Sequence, residues 1–185
     1  MTLIESPQST LVSRAEMLRY YDPERIQSYC RSCDKYGLYW SCPPFAESPL
    51  AELGEWAHAV LVTQKTPVAA GCTKEELVEH FLVARQSLCE TLRESEGGGA
   101  VAVVAGHCDG CTVCTRSRGV DCCVPSRLRY SLESLGFDVT GLAEGLAGQK
   151  MSWPAHGVPE YLLMVGALLC PSLDVARNVR VFRGA

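Results

Sequence analysis

The sequence predicts one domain of α/β or α+β class, residues 1–185, with a small mixed sheet, helices packed on it, and cysteine-rich metal-binding loops at one edge. Three observations predict it. Apolar runs near 59–66, 100–106 and 161–169 read as buried strands. Between the first two lies a long amphipathic segment opened by Thr73-Lys74-Glu75-Glu76, a capping box. The chain, 185 residues and 47% hydrophobic, is long enough to build one core without help from a cofactor.

In order along the chain, residues 1–29 are polar and mixed, with a short helix from Arg14 to Tyr21 that Asp22-Pro23 should end. Ser48-Pro49 has the form of an N-cap and first helical residue, so a helix is expected to about Ala57, followed by a strand at Ala59–Thr63. The helix opened at Thr73 carries Leu77, Phe81, Ala84, Leu88 and Leu92 at core-facing spacing and stops at Gly97-Gly98-Gly99. Ala100 to Ala105 is the most strand-like segment and runs straight into Gly106. A long helix between the first two strands is a proper crossover, so they are expected to pair in parallel.

Ser126 to Leu135 predicts an amphipathic helix, with Leu128, Leu132 and Leu135 inward and Gly136 as its stop. Arg129 and Glu133, one turn apart, would form a surface pair on it. A short glycine-rich helix near Leu142–Ala147, a flexible Trp153–Gly157 loop, a strand at Tyr161–Leu168 and an edge strand from Arg177 to Arg183 complete the expectation.

The net charge of −4 and pI near 5.6 argue against nucleic acid, since phosphate contacts need a basic surface. Met1 to Pro7 has neither the basic nor the apolar region of a secretory signal, and the longest apolar run, Tyr161 to Cys170, is too short for a membrane span. A soluble cytoplasmic protein with no membrane partner is expected. In a reducing cytosol, eleven cysteines, an odd number, point to metal ligation or catalysis and away from a disulfide framework. No dinucleotide fingerprint, phosphate loop, zincin helix or nucleophile elbow occurs.

The chemistry lies in two cysteine groups. Cys108, Cys111 and Cys114 form C-x2-C-x2-C, and Cys122 follows, with Cys123 and then Pro125 beyond it. This is close to the ferredoxin run with its last gap widened: two-residue spacers let thiolates converge while backbone N–H groups turn inward, which suits an anionic [4Fe–4S] cubane. Zinc, the simpler rival, would leave the third thiol of the run idle. In the other group, Cys30 and Cys33 are followed by Cys42, which opens Cys42-Pro43-Pro44-Phe45. Tyr36, Tyr39 and Trp40 between them either shield a cluster or are ordinary core anchors. Cys89 reads as a small core residue, Cys170 as structural and Cys72 as a weak ligand candidate. His107, beside the second motif, is either a donor to the cluster's surroundings or solvated; Arg116 and Arg118 read as solvated loop arginines or as partial charge compensation.

These residues resemble a prokaryotic family of cysteine-rich predicted metal-binding proteins, domain of unknown function 2284. The resemblance runs through Cys30-x2-Cys33, Tyr36-Gly37, Trp40-Ser41-Cys42-Pro43-Pro44-Phe45, the Cys108/Cys111/Cys114/Cys122 set and Arg129-x-Ser131-x-Glu133-x2-Gly136-x-Asp138-Val139. It implies metal binding through cysteines and assigns no reaction. Cys123 stands where the family pattern tends to have a basic residue, which leaves open whether Cys122 or Cys123 is the ligand; Cys122 fits the spacing better.

The function expected is therefore electron transfer to a redox partner protein through one or two [4Fe–4S] clusters. Cys108, Cys111, Cys114 and Cys122 would hold one cluster. Cys30, Cys33 and Cys42 would hold a second metal site or exchange ligands with the first. The alternatives are an enzyme using an open-coordination iron at the three-cysteine site, and a zinc-stabilised interaction module or metal chaperone.

Overall fold

The structure is a computed structural model that describes residues 3–152 and 157–183, with the side chains of 182 and 183 left aside. The expected α+β class holds. Four strands, β1 (Gln8–Ser13), β2 (His58–Pro67), β3 (Val101–Val103) and β4 (Tyr161–Cys170), form one sheet in the order β1-β2-β4-β3. Among the described residues six α-helices accompany it: α1 (Arg14–Leu18), α2 (Pro23–Cys30), α3 (Lys74–Glu94), α4 (Val139–Gly145), α5 (Leu173–Asn178) and α6 (Arg180–Arg183).

β2 and β4 are the two ten-residue central strands, paired antiparallel from His58 opposite Cys170 to Pro67 opposite Tyr161. Their alternation divides the core. Ala59 and Leu61 face one side with Met17, Leu132, Leu135, Phe137 and Leu142, while Val60 and Val62 face the other with Ala84, Leu88, Leu92 and Ala176. Both faces of the sheet are thus covered, which is why β4 and the Ala59–Val62 half of β2 are continuously apolar.

The parallel pairing expected of β2 and β3 is corrected. Each pairs antiparallel with β4, which lies between them. The two strands do run the same way, and α3 does cross from one to the other, but the crossover leaves a one-strand gap that β4 fills. The sole parallel bridge among the described residues, Val104 to Ser131, lies outside the named strands.

Other differences are local. β1 falls in the stretch expected to be featureless: it is an edge strand with only Val12 buried, so it needs no apolar run. The helix after it has the capping box Ser13/Glu16 and ends at Leu18. Asp22-Pro23 then starts a helix as well as ending one, with Asp22 capping α2 and Pro23 in its first turn. Residues 49–53 form turns and no helix.

The helix expected over 126–135 is a 3-10 turn at Pro125–Arg127 followed by extended chain, because Val104 N–H donates to the Tyr130 carbonyl at 2.8 Å and draws 128–131 alongside the end of β3. Leu132 and Leu135 are nonetheless buried. Gly136 (φ 99°) does stop the turn, and a Cβ there would sit 2.7 Å from Pro23 Cβ. The tail folds as α5 and α6, where an edge strand was expected. Of the Trp153–Gly157 loop, residues 153–156 lie outside the described residues. None of the described helices is long and apolar enough to cross a membrane.

Candidate metal centre

Different elements deliver the two cysteine groups. α2 ends at Cys30, so its last turn sets the first thiol. Hydrogen bonds from Cys33 N to Cys30 O (3.0 Å), Tyr36 N to Cys33 O (3.1 Å) and Cys42 N to Tyr39 O (3.0 Å) continue the chain as turns as far as Cys42. Gly37 (φ 73°) donates to the Pro43 carbonyl at 2.8 Å and closes this loop onto the cis Pro43–Pro44 pair. The second group leaves the end of β3 through Gly106 (φ 68°), which turns the chain into Cys108.

Backbone N–H groups already point at sulfur in both loops. Lys35 N–H donates to Cys33 Sγ at 3.4 Å, and Gly110 N–H to Cys108 Sγ at 3.3 Å. Each bond comes from two residues on, the pattern that favours a thiolate and tunes a metal bound to it. Position 110 is tight: a Cβ would lie 3.1 Å from the Arg127 carbonyl and 3.3 Å from Cys108 Sγ.

The loops lock to one another at four points. Cys108 N–H donates to Ser41 Oγ at 2.7 Å, and Ser41 is buried. Trp40 Nε1 donates to the Val120 carbonyl at 3.1 Å, and the rings of Tyr39 and His107 meet with centres 4.1 Å apart, tilted by 41°. Arg116 reaches from the second loop into the first: it donates to the carbonyls of Tyr39 (2.7 Å), Pro44 (2.5 Å) and Cys42, and lies 5.2 Å from the centre of the Trp40 ring. A planar fork with several fixed donors suits this task as an ammonium would not. Reading Arg116 as a solvated arginine is therefore corrected. So is the solvated reading of His107, which is half-buried against Tyr39, with a pKa lowered to about 4 by burial and then by Arg85 and Lys35.

Two arginines on α3 hold the second loop from behind. Arg85, buried, donates to the carbonyls of Ala105 (2.9 Å) and His107. Arg93 pairs with Asp109 and donates to the Arg127 carbonyl at 3.1 Å. The sequence reading missed both, although Arg85, Cys89 and Arg93, four residues apart, lie along one helix face. Arg129 does not pair with Glu133. Without a helix the i,i+4 geometry is gone, and Arg129 forks onto Glu96 at 2.6 and 2.7 Å.

The thiols act on one another within each loop. Burial pushes Cys42 up to about 11, Cys33 and Cys30 add to the shift, and Ser41 and Arg116 oppose it. Cys30 is raised by burial, then by Glu133 and Cys33. Cys111 is raised by burial, then by Cys123, with Cys114 and Cys108 behind it. Cys122 instead acts on Tyr130, together with Cys108. The adjacent pair thus bears on different groups, Cys123 on Cys111 and Cys122 on Tyr130.

All seven predicted ligands are free and, Cys33 apart, partly buried. The structure sorts them into two loops that touch, but among the described residues no three His, Cys, Asp or Glu side chains converge tightly enough to hold a metal ion. In donor type and N–H orientation the residues fit a thiolate-bound metal. Outside the loops, Cys89 and Cys170 are buried in the core as expected, and Cys72 sits at the entrance to α3, apart from both groups.

No curated protein and no solved structure matches the chain. One family does: its sequence profile covers residues 20–170, which takes in both cysteine groups and the arginines that hold them. The chain belongs to that family, whose description is predicted metal-binding protein, DUF2284.

Proposed function

We propose that the chain holds a [4Fe–4S] cluster on Cys108, Cys111, Cys114 and Cys122, and passes single electrons to a redox partner protein in the cytoplasm. One observation carries this reading: the C-x2-C-x2-C loop already turns a backbone N–H onto Cys108 Sγ, while two neighbouring arginines bring positive charge to a site that a thiolate-bound cluster would make negative. When bound, the cluster supplies one-electron chemistry. The chain's own residues do the rest: Arg93 and Arg116 hold the loops and offset charge, and Tyr39, Trp40 and His107 shield the space between them from water. Cys30, Cys33 and Cys42 hold a second metal or complete the first, with Cys42 as the crossing ligand. Cys123 is the rival to Cys122, because the two are adjacent in the chain beyond the C-x2-C-x2-C run.

A second reading rests on the odd count of three thiols in the first group. Three protein ligands leave one coordination position open, where an iron acts as a Lewis acid on a small substrate. Zinc is the remaining alternative, since N–H bonds to cysteine sulfur suit a zinc knuckle equally well, and the protein would then be an interaction module or metal chaperone.

Anaerobic purification followed by iron and sulfide analysis tests the main reading. The expected protein is brown, carries acid-labile sulfide, and bleaches on reduction. A colourless protein with stoichiometric zinc and no sulfide overturns it. Cys122→Ser and Cys123→Ser, compared one at a time, identify the fourth ligand by which one loses the cluster.

A further inference from the structure

Beside the first cysteine loop is a hollow of about 390 Å³, at the small end of ligand-binding pockets. Its walls include Trp40, Phe45 and Tyr130, together with Arg116, Glu47 and Glu52. Phe45 and Tyr130 meet edge to face, ring centres 5.8 Å apart, which makes a rigid aromatic corner. Aromatic faces carry negative charge density and attract cations.

The charges of the hollow favour the same ligand. Glu47 and Glu52 are exposed, and among the described residues neither is in an ion pair or a side-chain hydrogen bond. Arg116, the only cation of the lining, is turned onto the backbone carbonyls of Tyr39, Cys42 and Pro44 and onto the Trp40 ring. Two unpaired carboxylates and one engaged guanidinium leave the hollow with net negative charge.

We propose that this hollow binds a small organic cation, an amine or quaternary ammonium group, against Phe45 and Tyr130 with Glu47 and Glu52 as its counter-charges. Arg116 connects it to the cysteine loops, since it lines the hollow and donates to the carbonyls of Tyr39, Cys42 and Pro44. The site stands on its own lining and does not depend on which metal the cysteines hold.

Choline and its neutral isostere 3,3-dimethylbutan-1-ol are the probes, titrated into the 185-residue chain as purified and followed by calorimetry and ligand-observed NMR. Choline is expected to bind at least about tenfold more tightly than the isostere, the effect of one desolvated cation–aromatic contact plus a carboxylate. Glu47→Gln combined with Glu52→Gln should remove that preference, while Glu79→Gln on α3, outside the hollow, should leave it unchanged. Equal binding of the two probes, binding of acetate in preference to choline, or no saturable binding of either overturns the proposal. Metal content measured on the same samples reports on the metal reading separately.

Discussion

The two cysteine loops differ in what holds them. The first is tethered at one end by α2 and otherwise by contacts with the second loop: three of its carbonyls, those of Tyr39, Cys42 and Pro44, are bound by a single arginine from across the gap. The second is anchored from behind by Arg85 and Arg93 of the long helix α3, and receives in return the Ser41 hydroxyl. The second loop is thus a scaffolded element, and the first depends on it. A two-loop site built in this way has its geometry set by hydrogen bonds to backbone carbonyls, while the thiols stay free for a metal.

The largest test of that asymmetry removes donors. Replacing Cys108, Cys111 and Cys114 together by Ser is expected to abolish bound metal and sulfide entirely, whereas replacing Cys30, Cys33 and Cys42 together either does the same or leaves part behind. Metal analysis of the two variants side by side separates a shared centre from two independent ones. Complete retention of metal in the first variant would break the picture.

Next comes the arginine that joins the loops. Arg116→Ala is expected to cost the metal-free protein about 2–3 kcal/mol, the scale of charged hydrogen bonds lost from partly buried carbonyls. Arg116→Lys should recover less than half of that, and Arg118→Ala should stay within about 0.5 kcal/mol. Urea midpoints at constant slope provide the measurement. Ser41→Ala, which orphans the Cys108 N–H, should cost about 1–2 kcal/mol by the same assay.

The smallest effects concern protons. Burial raises Cys170 to about 11 from an ordinary 9.0, so its contribution to stability is fully present below pH 9 and is lost as pH rises through 11. Stability measured across that window should decline less in Cys170→Ala. His107 is shifted the other way, to about 4 from 6.5, so the fold loses its contribution as pH falls from 6.5 toward 4. Cys42, also near 11, must release its proton on ligating a metal, so metal binding to the apoprotein should liberate protons at pH 7 and tighten as pH rises. Titration in weakly buffered solution with a pH indicator records the release.

Much of the fold was legible in the sequence. The capping box at Thr73, the glycines after α3 and the apolar periods of β2 and β4 are signals of near neighbours, and they act through local hydrogen bonds and side-chain spacing. β1 was missed because an edge strand with one buried residue carries no strong pattern. The 126–135 segment was misread because its helical period is real, yet the chain gains more by pairing with the end of β3. Arg129 shows the consequence: it is bound to Glu96, 33 residues away, and not to the residue one helical turn along.

For the site, the sequence by itself supplied the candidate donors. Seven cysteines at short spacings, loops made of turn-forming residues and membership of a family of predicted metal-binding proteins all follow from residue type and local order. Only the tertiary structure decided that the two groups are neighbours and that Arg85, Arg93 and Arg116 are the residues that hold them. The physical reason is that spacing along a chain constrains which thiols can meet within one loop, while contacts between loops depend on a sheet and a helix whose packing is set by residues far away in the chain.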